Sequence, residues 1–177
     1  MKIIFFTILI ASSVFASTSA IGDVAEPEFS DYPVKLYSGT LKIPSYYKES
    51  SNGWRDDMGK LVQPPIINFA GKYYLGLHSC GTACRYYTLS NLENGADSNA
   101  LDIFSNDNVD SKKTSDGLIY VASLISHPNS KMLVAQYHIE NSSVAKEECH
   151  ERSFVLTDDG QKIYPITKKI KFCREFK

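Results

Sequence analysis

The chain of 177 residues balances 19 Lys+Arg against 20 Asp+Glu, is 43% hydrophobic and 12% aromatic, and holds 4 cysteines. That is the composition of one ordinary globular domain, and at this length a compact fold buries roughly 70% of its unfolded surface, so disorder is not expected. The near-zero net charge removes the electrostatic footprint by which proteins attract nucleic acid or anionic membrane, leaving proteins and small molecules as the expected partners.

Met1-Lys2 is followed by the apolar run Ile3 to Ile10, too short to span a hydrocarbon core of ~30 Å as a helix. It reads as a signal peptide over residues 1–20, with cleavage after Ala16 or Ala20 and no following cysteine to receive a lipid. The expected product is a single β-rich domain, residues 21–177, that is periplasmic or secreted and not inserted in a membrane.

Residues 21–33 read as an acidic, extended lead-in. Val34–Tyr37 and Thr40–Ile43 then predict two strands separated by Ser38-Gly39. Residues 44–66, with Pro44, Ser50-Ser51-Asn52-Gly53, the single Trp54 and Pro64-Pro65, predict a long surface loop. Loops of that length commonly bind something. Asn68–His78 and Arg85–Ser90 carry β-tolerant, aromatic sequence and predict a hairpin, followed by a turn at 91–95 and a short strand at Ala100–Phe104. Leu118–Ile125 predicts a central buried strand, paired across the Pro128-Asn129-Ser130 turn with Lys131–Ile139. Ser153–Leu156 and Lys162–Pro165 flank Asp159-Gly160, a strong hairpin signal, and 166–172 predicts the last strand. The pattern of roughly seven to nine short strands without an amphipathic helix gives a mainly β fold. The expected architecture is an antiparallel meander with minor helix, built as a curved sheet, a sandwich or an open barrel.

An even cysteine count in an exported chain predicts two disulfides, with three pairings possible. The expected pairing is Cys80–Cys84 with Cys149–Cys173. The entropy model assigns ~2 kcal/mol to the small ring and ~3.5 kcal/mol to the large one, so the small ring is expected to shape a surface more than to stabilise the fold. His78-x-Cys80-x3-Cys84 lacks the ligand spacing of a zinc site, and neither metal nor cofactor is expected.

No nucleophile elbow, phosphate loop, metalloprotease or dinucleotide motif occurs. The carboxylate pairs Asp56-Asp57, Glu147-Glu148 and Asp158-Asp159 read as solvated turns, and Asn141-Ser142-Ser143 is a glycosylation sequon if the source is eukaryotic. The tyrosines carry more weight. Alternation along a strand sends one ring of each pair, Tyr73-Tyr74 and Tyr86-Tyr87, inward and the other outward. Outward tyrosines beside Arg85 have the composition of a protein-binding hot spot. The candidate binding residues are therefore Trp54, His78, Gly81, Thr82, Ala83, Arg85, Tyr86 and Tyr87, with no catalytic residue assigned.

The element Asn68-Phe69-Ala70-Gly71-x-Tyr73 followed by Cys80-Gly81-Thr82-x-Cys84 resembles small exported bacterial proteins with an F-A-G-x-Y…C-G-T-x-C hairpin. The order strand, disulfide-closed loop, return strand is similar to the Ivy-type periplasmic lysozyme inhibitors, where such a loop enters the enzyme's cleft with a histidine. Here the ring holds Gly81-Thr82-Ala83 and His78 lies just outside it. The resemblance implies an inhibitor or immunity protein, not an enzyme, whose partner is a peptidoglycan-active protein. Two alternatives stay open: an envelope hydrolase using Asp56 or Asp57 with a histidine between the 44–66 loop and the sheet, and a structural envelope protein.

Overall fold

The structure, a computed structural model, describes residues 25–81, 84–106, 112–139 and 148–175. The signal segment, Thr82, Ala83, Glu147 and the sequon at Asn141 lie outside the described residues. Three antiparallel sheets and two 3₁₀ turns make up the fold, which is mainly β and contains no closed barrel. The first sheet is a small meander of β1 (Lys48–Ser50), β2 (Gly53–Arg55) and β3 (Leu61–Val62). The second contains β4 (Tyr73–Gly81), β5 (Cys84–Asn91) and β6 (Ala96–Ser98). The third runs through β7 (Tyr120–Ser126), β8 (Met132–Ile139), β9 (Glu148–Leu156) and β10 (Ile163–Pro165) in order. There β11 (Lys171–Phe172) pairs with the same edge of β9 as β10.

The β4–β5 hairpin sits between two cores. Its odd-numbered residues Tyr73, Leu75, Tyr87 and Leu89 pack against Leu133, Ala135, Phe154 and Leu156 of the third sheet. Its even-numbered face carries Tyr74, which packs with Tyr47 and Leu92 in a second cluster that includes Trp54 and Val62 of the small meander. The period-2 alternation therefore places Tyr73/Tyr74 and Tyr86/Tyr87 on opposite faces as expected, but both faces are covered.

Several local expectations are corrected. Segment 44–66 is a three-stranded meander, not a loop: the two-residue turn at Ser51-Asn52 joins Ser50 to Gly53, whose φ of 110° suits only glycine. Val34–Ile43 forms no strand, because its backbone bonds go to turns, Val34 N–H to Asn129 O at 2.9 Å and Tyr37 N–H to Gly71 O at 2.8 Å. Asp102–Phe104 is a 3₁₀ turn: Leu101 and Phe104, three apart, share its buried side while Ile103 is exposed. The last strand is confined to Lys171–Phe172.

Both disulfides pair as expected, Cys80 with Cys84 and Cys149 with Cys173. The second fastens the C-terminal segment to β9, where buried Glu151 accepts from Arg174 Nε at 2.5 Å and Glu26 of the lead-in meets Lys171 and Arg174.

The Phe69-Ala70-Gly71 element acts as a buckle. Phe69 and Tyr73 pair backbone to backbone across a turn in which Ala70 and Gly71 take φ of 45° and 80°. The Ala70 and Gly71 N–H groups donate to Ser130 O at 3.0 Å and Pro128 O at 2.7 Å, docking the turn on the β7–β8 connection. A Cβ at Gly71 would stand 2.4 Å from Lys35 O, which is backbone and cannot rotate away. Gly71→Ala is expected to lower stability by about 2 kcal/mol or more, from left-handed strain and overpacking together. Ala70→Gly is expected to be neutral or stabilising by ~0.5 kcal/mol. Urea midpoints of the two variants measure both effects.

Candidate functional site

Cross-strand register builds one face of the site. His78 stands opposite Tyr86, Gly76 opposite Thr88 and Tyr74 opposite Ser90, all on the even face of β4–β5. The small meander lies over this face and delivers two groups. Tyr47, just before β1, and Asp56, just after β2, converge on His78 from above.

The His78 ring is fixed on every side. Nδ1 lies 2.9 Å from Asp56 Oδ2, and Nε2 lies 3.0 Å from both the Tyr47 hydroxyl and Thr88 Oγ1, which are 2.7 Å apart. Since an ionised carboxylate only accepts, Nδ1–H donates to Asp56, and Nε2 faces the two hydroxyls. Tyr86 stacks on the ring with centroids 4.6 Å apart and planes 10° off parallel. The second Asp56 oxygen accepts the Lys60 N–H at 2.8 Å, so the residue closes its own turn as well. Burial tends to raise the Asp56 pKa, but the His78 contact and the Lys60 and Met58 N–H groups outweigh it and hold the carboxyl below its usual range. Burial pushes the Tyr47 hydroxyl far up, partly opposed by Thr88, so it stays a proton donor at neutral pH. Beside this network Tyr46 contacts Ser90 Oγ at 3.0 Å and donates to Asp97 at 2.9 Å. Its pKa is raised to about 12, mainly by burial.

Gly76 makes room for the arrangement. A Cβ there would meet the Tyr47 hydroxyl at 2.4 Å and Thr88 Oγ1 at 2.6 Å.

The order Asp56–His78–Thr88 has the acid–base–hydroxyl connectivity of nucleophilic hydrolases. The pairing of Asp56 with a histidine anticipated for the enzyme alternative is thus present, and Asp57 takes no part in it. Yet His78 is 2% and Asp56 4% exposed. The cleft that touches Asp56, lined by Tyr46, Lys48, Arg55 and Asp57 among others, reaches neither His78 nor Thr88.

Beyond this layer the hairpin projects as a tip. Ser79, Cys80 and Gly81 are exposed, Cys84 is buried, and the Cys80–Cys84 bridge closes a ring across a bulge after Ser79. Arg85 is half-buried, its Nη1 reaching Ser123 Oγ at 3.2 Å and Ala122 O at 3.4 Å on β7. Tyr87, 4% exposed, donates to the same Ala122 carbonyl at 2.7 Å.

The candidate contact residues therefore divide. Gly81 and the ring flank are at the surface, and Tyr86 and Trp54 are half-buried. His78 and Tyr87 are interior, which corrects their expected role as surface contacts: a second layer covers the face on which His78 sits, and the third sheet covers Tyr87. Thr82 and Ala83 fall outside the described residues. Sequence reasoning missed Tyr47 and Thr88, for which the available signal was Thr88 two residues after Tyr86 on a strand. Of the carboxylate pairs, Asp158 meets Lys131 at 2.7 Å, Asp159 caps its own turn and Glu148 meets His150 at 2.7 Å, all structural uses.

No metal-binding cluster of His, Cys, Asp or Glu occurs among the described residues, and none of their helices is long and apolar enough to cross a membrane. Comparison with protein-family models, curated proteins and solved structures returned no match.

Removing the carboxylate strands a buried imidazole, so Asp56→Ala is expected to cost about 2–4 kcal/mol. Gly76→Ala is expected to do similar damage by displacing Tyr47. In both variants amide exchange should rise first in residues 44–66. The sign of the pH dependence follows from the depressed Asp56 pKa. Its stabilising contribution is complete above the ordinary aspartate value of 3.8 and is lost as pH falls through the lower folded value. Acid unfolding followed by Trp54 fluorescence should be shallower below that pH in Asp56→Asn than in the native protein.

Proposed function

We propose that this is an envelope binding protein that inhibits, or gives immunity against, a cell-wall-active enzyme such as a lysozyme or a delivered toxin. It presents the β4–β5 tip to that target. The observation that carries this reading is the construction of the hairpin: a disulfide-closed, exposed tip on strands that are packed on both faces. A loop whose two ends are joined by a disulfide has less conformational freedom to lose on binding, which lowers the ordering cost that subtracts from affinity. Two disulfides fit an oxidising extracytoplasmic compartment, and the periplasm is the location proposed with the function. The order strand, disulfide-closed loop, return strand resembles that of Ivy-type inhibitors and is in keeping with the same reading, with no histidine in the ring of this chain.

A hydrolase is the second reading, favoured by the Asp56–His78–Thr88 connectivity alone. It requires the 44–66 layer to lift before substrate can reach Thr88.

The test is inhibition and capture of muramidases, amidases and peptidases by residues 21–177. The Cys80→Ser/Cys84→Ser protein is expected to bind its target at least about tenfold more weakly through lost preorganisation while remaining folded, the ring being worth ~2 kcal/mol. Equal loss of fold and binding, or no target among these enzymes, overturns the inhibitor reading. Turnover of muropeptides abolished by Thr88→Val would establish the hydrolase instead.

A further inference from the structure

The outer edge of β4 changes character along its length. Tyr73 turns its N–H and C=O away from β5 toward Asn68 and Phe69, and Leu75 turns both of its groups to the Asn68 carboxamide at 2.7 and 3.0 Å. By the two-residue repeat of a strand, Leu77 and Ser79 face the same way. The partner strand agrees: Tyr87 and Arg85, opposite them, direct their backbone groups away from β4 to Ser105 and Asn106. Among the described residues nothing pairs with the outward N–H and C=O of Leu77 and Ser79. The Asn68 side chain thus ends the pairing in mid-strand and leaves the rest of the edge open.

That open edge borders a cavity of about 430 Å³ between the small meander and the third sheet, lined by Leu61, Val62, Leu75, Leu77, Ser123 and Leu124 among others. Leu61 is 61% and Leu77 47% exposed. No lining residue is charged, whereas each of the other three cavities described contains lysine or arginine together with a carboxylate.

We propose that this groove takes an extended, uncharged segment of a partner protein, added as a strand to Leu77 and Ser79 with apolar side chains lodged among Leu61, Leu77 and Leu124. Unpaired backbone donors and acceptors on a strand edge are matched by another extended backbone, and alternate side chains of such a segment fall into one groove. The neutrality of the lining excludes a charged segment, because nothing there would compensate its desolvation. The walls decide between a single segment and a second copy of this chain. The groove along the edge is lined on one side by Leu61 and Val62 of β3 and on the other by Ser123 and Leu124 of β7. A second copy would have to bring in an edge that is itself recessed between two walls. This surface meets the disulfide tip at Ser79 but is centred on Leu77, whose substitution tests it separately from the inhibitor reading.

The test is selection of random dodecapeptides displayed on phage against the disulfide-intact protein. Expected are peptides with alternating apolar residues and no charge at their centre. Once synthesised, they should slow amide exchange at Leu77 and Ser79, lose about tenfold or more in affinity to Leu77→Lys, and bind the Cys80→Ser/Cys84→Ser protein as well as the native one. Leu77 is exposed, so its lysine variant should fold normally, which unchanged thermal unfolding verifies. Overturning results are no enrichment above the Leu77→Lys bait, protection mapping elsewhere, or a concentration-dependent dimer that Leu77→Lys abolishes. The last would assign the edge to a second copy.

Discussion

The contact on which the rest depends is the buried pair of Asp56 and His78. Burying a carboxylate is expensive unless its lone pairs are all met, and Asp56 meets them with an imidazole N–H from β4 and the N–H of Lys60 in its own turn. No buried side-chain nitrogen or oxygen lacks a partner among the described residues, so the network is complete. A hydrophobic pair of similar size could hold the layers together as strongly. What the polar pair adds is register: an apolar contact tolerates sliding, whereas a carboxylate aimed at one ring nitrogen, whose other nitrogen is held by two hydroxyls, permits a single placement of the meander on the sheet. The requirement propagates to Gly76, whose missing side chain is the space the Tyr47 hydroxyl occupies.

The same contacts hold the β4–β5 hairpin from both faces. Two-stranded ribbons are marginal alone, and three strands with one apolar face are the usual minimum. Here β4 and β5 gain a second covered face, and their side chains also reach across to another sheet. Arg85 and Tyr87 both bond the Ala122 carbonyl on β7, linking the root of the tip to the main core. The root of the tip is thus held from both sides of the sheet, and the Cys80–Cys84 bridge constrains the ends of the loop beyond it.

Much of this was legible in the sequence, and the gaps have physical causes. The hairpin with its disulfide tip, the second disulfide and the Asp159-Gly160 turn follow from alternation, cysteine count and turn chemistry, all local signals, whereas β7, expected from its apolar run to be central and buried, is the edge strand of the third sheet with only Ala122 buried. Segment 44–66 was misread because its three strands bury little individually. Ser51-Asn52-Gly53 marked a hairpin, but prolines and charges around it masked the signal. Ala100–Phe104 reads equally as alternation or as an i,i+3 pair, and only the core facing it decides. The burial of His78 and Tyr87 leaves no mark in the sequence, because alternation says which face a side chain takes and nothing about what covers that face. The approach of Asp56 across 22 residues to His78 is a tertiary event with no local trace beyond the residue types.

The coexistence of a hydrolase-like connectivity with complete burial has a simple physical reading. An imidazole flanked by carboxylate and hydroxyl satisfies a buried histidine fully, because each ring nitrogen meets a group of matching donor or acceptor character. The same complementarity that prepares a catalytic base therefore stabilises a structural one, and the two differ in whether a substrate atom can approach the hydroxyl. Here the Tyr47 hydroxyl occupies that approach, 2.7 Å from Thr88 Oγ1 and 3.0 Å from Nε2, in the position a reacting group would need. Tyr47 also packs edge-on against Tyr74 with centroids 5.4 Å apart, so withdrawing it would open the second core. A substrate atom could reach Thr88 Oγ1 only with the Tyr47 hydroxyl withdrawn from its place between Thr88 and His78.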